Sequence, residues 1–145
     1  MLNIYLESTI RPPQKAAGKA MYIAEFVSDK NPESFVTREG YAEFGETTED
    51  AAILTILIEA LLILNKPCTI RIFTKAKGIL STLESRRYEA WQGQKWIKSN
   101  KESVKNAHLW DIVAHALEKH DWTITDEDHS YREYMRSELK KWQRA

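Results

Sequence analysis

The sequence predicts an α/β fold built on a five-stranded mixed sheet, with three antiparallel strands, then parallel strands, and helices on both faces. Two observations predict this fold class. The first third of the chain alternates apolar and polar residues in three short runs that turn residues separate. The remainder alternates helical patterns with two more short strands, and a strand–helix–strand order favours a parallel addition to the sheet. The 145 residues have the length of one domain with a substantial core.

Three strand patterns occupy the first 45 residues of the chain. "MLNIYLES" alternates in apolar character, and "AMYIAEFVSD" and "FVTREGYAEFG" follow it as the second and third strands. Between the first two lies "IRPPQKAAGK", where Pro12 and Pro13 exclude regular pairing. The third strand is predicted to be bulged or loosened near Gly40. The short turns indicate an antiparallel meander.

A helix and a fourth strand follow the meander. The helix is predicted over residues 48–65, because Thr47 and Asp50 fit a Thr-x-x-Asp capping pattern and the segment is apolar on nearly every side. Pro67 follows its end, as expected beyond a helix. The fourth strand is "CTIRIFT", and it leads directly into Lys75.

The second half of the chain predicts three more helices and a fifth strand. A short helix near 76–84 precedes a turn-rich basic segment. "SVKNAHLWDIVAHALEKH" carries an apolar stripe, and Ser103 is predicted to cap it. "DWTIT" is the fifth strand, and "SYREYMRSELKKWQ" is a final helix opened by a capping box of Ser130 and Glu133. Trp142 is predicted to lie on the apolar face of that helix.

Composition and charge limit the function classes. The chain has 21 Lys and Arg and 21 Asp and Glu, so bulk charge gives no argument for nucleic acid or a membrane. Its one cysteine, Cys68, excludes an internal disulfide and a cysteine-based zinc site. The longest apolar run is too short to span a bilayer, and the N-terminal residues carry no basic signal region. We therefore expect a soluble, cytoplasmic protein with no membrane partner.

Element order, length and local sequence together resemble a ribonuclease H domain of the bacterial type 1 class. Four segments carry the resemblance, in the correct order and on the correct elements: "MLNIYLEST", "GETTEDAAILTILIEAL", "RIFTKAKGIL" and "WIKSNKESVKNAHLWDIVAHAL". The last of them is similar to the basic handle and the following helix of such enzymes. The resemblance implies a single ribonuclease H-like domain over residues 1–145, with a handle at about 86–106.

The resemblance also implies where a catalytic site would lie. Enzymes of this family hydrolyse the RNA strand of an RNA–DNA hybrid, using four carboxylates to hold two divalent metals about 4 Å apart. The family's carboxylate positions fall on Glu7, Ile53, Lys75 and near Ser137. Of these only Glu7 is an acid, and Lys75 could pair with it in place of a metal. The resemblance therefore predicts a domain that has lost two-metal catalysis and holds no metal or other cofactor.

Substitute ligands leave a second possibility open. Asp50 lies three residues before Ile53, on roughly the same helix face, and Asp128 lies in the acidic loop "DEDHS". Together with Glu7 they would form an unusual Mg²⁺ or Mn²⁺ site in a divergent, active nuclease. His129 in the same loop is similar to a histidine that the family places near its metals. The alternative is that Asp50 caps a helix and the loop is solvated.

The handle predicts nucleic-acid binding. From Arg86 to Lys105, six basic residues and two acids give a local balance of +4. Basic residues meet phosphates, and aromatic side chains stack on bases or pack on sugars. The candidate contacts are Trp91, Lys95, Trp96, Lys98, Lys101, Lys105 and Asn106. Alternatively, the tryptophans pack against one another and the lysines are solvated. Glu49 and Asp50 replace two asparagines that contact the hybrid in the family, and these anions would repel a duplex.

Three functions remain open from the sequence. The first and favoured one is a catalytically degenerate ribonuclease H-like domain that binds an RNA–DNA hybrid or a duplex weakly, without cleaving it. The second is a structural or protein-interaction module with a protein partner or a homodimer, as in the connection domains of retroviral reverse transcriptases. The third is a divergent Mg²⁺- or Mn²⁺-dependent hybrid endonuclease.

Overall fold

One mixed sheet organises the structure, a computed structural model that describes residues 1–98 and 100–142. The predicted apolar position at Trp142 lies outside the described side chains. The strands are β1 (Leu2–Ser8), β2 (Ala16–Val27), β3 (Phe35–Thr47), β4 (Thr69–Phe73) and β5 (Asp121–Thr125). The helices are α1 (Glu49–Leu62), α2 (Lys77–Glu84), α3 (Arg87–Gly93), α4 (Ala107–Leu117) and α5 (Arg132–Trp142).

Strand pairing confirms the predicted sheet. The spatial order is β3-β2-β1-β4-β5, with antiparallel pairing among the first three strands and parallel pairing of β1 with β4 and of β4 with β5. The last β1–β4 pair joins Tyr5 to Phe73. Two residues further on, the chain reaches Glu7 at one strand end and Lys75 at the other. The two sequence-predicted positions therefore come to the same edge of the sheet.

Each face of the sheet buries its own core. Leu2, Ile4 and Leu6 of β1 pack with α1, α2 and α4 on one face. Tyr5 of the same strand packs with Met135 and Leu139 of α5 on the other. This division follows the two-residue period of a strand, and it confirms that helices cover both faces. Among the described residues, no helix is both long and apolar enough to cross a bilayer.

Strands β2 and β3 depart from the prediction in two ways. β2 begins at Ala16, four residues before the predicted start, because a register shift between Ala16 and Gly18 lets this stretch pair with β3. The predicted irregularity at Gly40 is wrong, since Gly40 pairs regularly with Tyr22. A Cβ at Gly40 would lie 2.0 Å from Cε2 of the buried Tyr22 ring. Glycine is therefore needed there for close packing rather than for a bulge.

The start of α1 is one residue later than predicted. Thr48, and not Thr47, is the N-cap, and its Oγ1 accepts the backbone N–H of Ala51 at 3.2 Å. Asp50 consequently lies in the first turn of α1 and does not cap it through its side chain. This placement turns the Asp50 carboxylate toward α2, with consequences for the site described below.

The starts of α4 and α5 also differ from the prediction. Ser103 takes part in an isolated β-bridge instead of capping α4. α4 begins only after Asn106, whose φ of 59° lies in the left-handed region. In α5, the N–H of Tyr131 donates to Nδ1 of His129 at 3.2 Å, in place of the predicted capping box opened by Ser130. Both corrections reflect contacts formed within the segment that precedes each helix.

Candidate nucleic-acid groove and central cleft

A cleft of about 550 Å³ opens where β1 and β4 end, and we call it the central cleft. Its charged lining comes from the ends of these strands, the β1–β2 loop, the first turn of α1, the start of α2 and α5. The lining residues with charge are Glu7, Arg11, Glu49, Asp50, Lys75, Lys77, Arg132 and Arg136. Five bases and three acids give a formal balance of +2. The strand-end edge of this sheet therefore carries more positive than negative charge.

Glu7 is the buried acid at the floor of the central cleft. Its side chain is 7% exposed, and Nη2 of Arg11 and Nε of Arg136 each lie 3.7 Å from the same oxygen, Oε1. Burial raises the pKa of the Glu7 carboxyl, and the guanidinium groups of Arg136 and Arg11 act in the opposite direction. Two cations thus converge on the one acid that the resemblance retains.

The predicted pairing of Lys75 with Glu7 is wrong. Nζ of Lys75 donates to the backbone carbonyl of Asp126 at 2.5 Å, and the described ion pairs of Glu7 are with arginines. Thr74 accounts for this direction, because its N–H donates to the Thr125 carbonyl and ties the end of β4 to the end of β5. The ammonium therefore bridges toward β5 while still lining the central cleft.

The remaining family positions hold no acid. Ile53 of α1 is 3% exposed and presents an apolar side chain to the cleft. Ser137 is exposed on α5 and is not among the lining residues. Its neighbour Arg136 occupies the place on the cleft wall that the resemblance assigned near Ser137. Sequence reasoning missed Arg136, because the helix phase depends on the length of the preceding loop.

Asp50 lies away from a metal-binding geometry. Its carboxylate packs against Gly78 at the start of α2, where an added Cβ would lie 2.5 Å from Oδ2. Burial raises the pKa of Asp50, and Lys105 of the handle acts in the opposite direction. Asp50 is therefore coupled to the handle and to α2. Its neighbour Glu49 is coupled to Arg11 and Glu7, and burial raises the pKa of Glu49 as well.

The acidic loop is likewise engaged elsewhere. Both oxygens of Asp128 accept from Nη1 of Arg132, at 3.1 and 3.2 Å. The ring of His129 stacks on Tyr5 with centroids 4.3 Å apart, and burial lowers the pKa of His129. Neither side chain lines the central cleft. The alternative ligand set of Glu7 with Asp50 and Asp128 is therefore not brought together.

The side chains of the central cleft do not fit two divalent cations. Within residues 1–98 and 100–142, no group of three His, Cys, Asp or Glu side chains is placed to hold a metal ion. Arg11, Lys75 and Arg136 instead line the space around the one buried acid. Mg²⁺ requires several convergent oxygen ligands that offset its charge. Positively charged side chains that line the same cleft would repel a bound divalent cation.

A second depression, the handle groove, lies beside the central cleft. It has a volume of about 330 Å³ and shares Pro12, Glu49, Asp50 and Gly78 with the central cleft. Its other walls come from α2, α3 and the segment before α4. The two depressions are therefore adjacent, with the central cleft containing Glu7 and the handle groove containing handle residues.

The predicted handle contacts divide into two groups. Trp91, Lys98, Lys105 and Asn106 line the handle groove, together with Arg87, which sequence reasoning did not single out. The other three predicted contacts are not among its lining residues: Lys95, Trp96 and Lys101. The signal for Arg87 was present in the sequence as part of the basic segment, but nothing local distinguished it from its neighbour Arg86.

The tryptophans of this region pack, as the alternative interpretation predicted. Nε1 of Trp96 donates to Oδ1 of Asp111 at 3.0 Å, which fixes the handle to α4. Trp110 is 4% exposed and stacks with Tyr88 at a centroid distance of 6.4 Å. Trp91 packs against the same core, yet it also borders the handle groove. Trp110 borders the groove as well but is buried, whereas Trp91 is only partly buried and is placed for both roles.

Comparisons with known proteins agree with this architecture. No protein-family model matches the chain. It is 29% identical over 92 residues to a ribonuclease H of Clostridium botulinum, covering 63% of this chain and 62% of that protein. It is 38% identical over 85 residues to a ribonuclease H of Rickettsia bellii, covering 59% and 54%. The chain thus spans between about half and two thirds of the length of these relatives.

Solved structures share the fold across nearly the whole chain. A type 1 ribonuclease H with the type 2 active-site motif superposes with a TM-score of 0.75 at 16% identity, covering 97% of this chain and 70% of that one. A ribonuclease H1 in complex with an RNA/DNA hybrid gives 0.59 at 16% identity, covering 99% of both. The ribonuclease H1 of Halobacterium salinarum gives 0.55 at 17%, covering 99% and 98%.

The fold defines an α/β protein of the ribonuclease H type, with a charged cleft at the ends of its central strands. The chain shares sequence with ribonucleases H and the fold of solved ribonuclease H structures, in agreement with the resemblance.

Proposed function

We propose that residues 1–145 form one cytoplasmic ribonuclease H-like module that binds an RNA–DNA hybrid or a duplex without two-metal cleavage. The observation that carries this proposal is the lining of the central cleft, where Arg11 and Arg136 approach Oε1 of Glu7 from 3.7 Å each. The positive charges of these two arginines lie beside the acid that would bind metal ions in the two-metal chemistry of the family. A guanidinium attracts phosphate but cannot generate a hydroxide nucleophile from bound water, as a metal does.

Binding is supported by the position of the basic handle groove directly beside the central cleft. The handle groove presents Arg87, Lys98 and Lys105, which can neutralise backbone phosphates. Trp91 borders the same groove and offers an aromatic surface. Glu49 and Asp50 lie between the groove and the cleft, so we propose weak binding. Similar folds have been solved with an RNA/DNA hybrid and with double-stranded DNA, which makes these the first ligands to test.

A labelled RNA–DNA hybrid, titrated with the protein in a fluorescence anisotropy assay, tests the handle groove. We expect Lys98→Ala plus Lys105→Ala to weaken binding, because each lysine neutralises phosphate charge. If both lysines contact phosphates, the slope of the logarithm of the binding constant against the logarithm of salt concentration should become less steep by about 2. Lys30→Ala plus Lys119→Ala removes the same charge from exposed positions outside both depressions and should leave the slope unchanged.

Two results would contradict this proposal. No binding of hybrid or duplex by the wild-type protein at low salt would exclude nucleic acid as the ligand. Cleavage of the hybrid with Mg²⁺ or Mn²⁺, lost in Glu7→Gln, would establish the divergent nuclease instead. The cleavage assay therefore accompanies every binding experiment.

A protein-interaction module is the second candidate function, and one observation favours it. β3 is a long strand at the sheet edge, and its first residues, Phe35 and Val36, are 52% and 62% exposed. Exposed edges of this kind can pair with another chain. Sedimentation of the protein at micromolar concentration tests this candidate. A dimer that persists at high salt and dissociates in Val36→Lys would support it, and a strictly monomeric protein would oppose it.

A further inference from the structure

The central cleft carries cations that are held in place but not saturated by their partners. Nη1 of Arg11 donates to the carbonyls of Ser8 and Ile10, at 2.5 and 3.2 Å, which fixes its guanidinium beside Glu7. Nζ of Lys75 donates to one carbonyl, that of Asp126, and an ammonium has three donors. Donors therefore remain unused on two side chains that line the cleft and belong to different parts of the chain.

The contacts to Glu7 are also loose. A charge-assisted N–H···O bond is usually about 2.7–2.9 Å long, whereas both arginine contacts to Oε1 measure 3.7 Å. Arg136 is half-exposed, and within the described part of the chain Glu7 is its only ion-pair partner. Each guanidinium presents five donors in a planar fork, more than one carboxylate oxygen can occupy. Besides the Glu7 carboxylate, Arg11 and Arg136 can therefore bind a second oxyanion in the central cleft.

We propose that Arg11, Lys75 and Arg136 form a direct phosphate site in the central cleft, which binds a phosphate group with no divalent cation between protein and ligand. Three cations from the β1–β2 loop, the end of β4 and α5 line a single cleft, and their fork and point-charge donors suit a tetrahedral oxyanion. If the ligand is a phosphate of a nucleic-acid backbone, the direct phosphate site rests on the proposed function. If the ligand is free phosphate, the site is independent of that function.

The first experiment uses inorganic phosphate as the probe, with EDTA present to remove divalent cations. Side-chain Nε–H signals of the arginines are followed by NMR during titration, against sodium chloride at matched ionic strength. We expect saturable shifts at Arg11 and Arg136, with affinity reduced about tenfold or more in Arg136→Gln. Arg38→Gln, an exposed arginine of β3 outside both depressions, is the matched control and should bind as the wild type does.

Shifts that chloride reproduces equally, or that require added Mg²⁺, would overturn the direct phosphate site. The same holds if Arg136→Gln binds phosphate as tightly as Arg38→Gln. Both arginine changes are at exposed positions, and a thermal unfolding scan confirms that each variant is folded. Loss of phosphate response in a folded Arg136→Gln therefore reports on the cleft itself.

The second experiment separates backbone phosphate from free phosphate. A labelled RNA–DNA hybrid is titrated in EDTA with wild type, Lys75→Gln, Arg136→Gln and Arg38→Gln. Weaker binding in the two cleft variants alone supports a backbone phosphate in the cleft. Phosphate binding without any hybrid binding supports the direct phosphate site with a small anion as its ligand. The same result contradicts the proposed function. Equal hybrid binding by all four proteins overturns the inference for nucleic acid while leaving the handle groove intact.

Discussion

Replacing Glu7 by glutamine separates phosphate binding from metal binding by the sign of its effect. Glu7 is the buried acid that two guanidinium groups approach, and Gln has nearly the same shape without the charge. If the central cleft binds phosphate, the change removes a repulsion and binding should tighten. If the cleft binds metal ions, the change removes a ligand and any metal-dependent activity should be lost.

The expected magnitude follows from the geometry of the ion pairs. A phosphate bound on the outer side of Arg11 and Arg136 would lie about 6 Å from the Glu7 carboxylate. Two unit charges at that distance repel by about 0.7 kcal/mol in bulk water and about 3 kcal/mol at an effective dielectric of 20. Even the smaller figure corresponds to about a threefold gain in affinity, and the larger one to about a hundredfold.

The assay is the anisotropy titration of a labelled RNA–DNA hybrid in EDTA, at one low and one physiological salt concentration. Glu39→Gln is the control, because it removes an exposed acid of β3 that lines neither depression. The reasoning is refuted if Glu7→Gln binds more weakly than wild type, or no more tightly than Glu39→Gln. A gain that disappears when Arg136→Gln is added would locate the effect at the cleft.

Stability provides a second readout of the same change. The folded-state pKa of Glu7 is raised above its ordinary value, with burial as the largest cause. The folded protein therefore binds this proton more readily than the unfolded chain does, and the associated stability is lost as the pH rises through the folded pKa. Glu7→Gln cannot ionise, so we expect it to be more stable than wild type near pH 7. Urea unfolding should show this advantage shrinking toward about pH 4.

Two further substitutions test the packing that positions the cleft. Gly40→Ala should destabilise the fold by about 1–3 kcal/mol in urea unfolding, because the new Cβ would lie 2.0 Å from the buried Tyr22 ring. Gly45→Ala, where a Cβ meets nothing within 4 Å, should change stability by less than about 0.5 kcal/mol, and equal effects would contradict the packing argument. Tyr131→Phe should cost about 1–3 kcal/mol, because the phenol just before α5 donates to Glu25 of β2 at 2.5 Å. Unchanged stability in that variant would show that the bond contributes nothing.

The sheet could be predicted from sequence because its determinants are local. The alternation of β1 assigns Leu2, Ile4 and Leu6 to one face, and the structure buries all three there. The continuous apolar character of α1 likewise predicts a helix packed on the sheet, and Leu54 and Leu57 are fully buried. Such periodic signals do not depend on distant parts of the chain. The element order and the strand pairing could therefore be predicted from local sequence.

The handle could not be predicted in detail, because its backbone conformation has no local signature. Lys95, Trp96, Lys101 and Asn106 adopt φ values from 56° to 68°, a region that usually favours glycine. Each costs roughly 1–2 kcal/mol relative to the right-handed region, and tertiary contacts must offset that cost. The bond from Trp96 to Asp111 is one such contact, and it joins residues 15 apart in sequence.

The cleft shows the same limit at the level of side chains. The sheet register correctly brings Glu7 and Lys75 to one edge, but it does not determine which cation reaches the acid. That choice depends on the phase of α5, which presents Arg136 rather than Ser137, and on the loop that carries Arg11. Neither a helix phase after an irregular loop nor a loop conformation follows from local pattern.

These contacts lead to a physical distinction between binding and cleavage in this fold. In a two-metal site, the same ions attract the phosphate and activate the attacking water. In the central cleft, two guanidinium groups supply positive charge beside Glu7. Such groups offer hydrogen bonds and charge but no means to lower the pKa of water. A cleft that exchanged metal ions for arginines would therefore retain attraction for the backbone while losing the step that breaks it, which is the combination we propose for this chain.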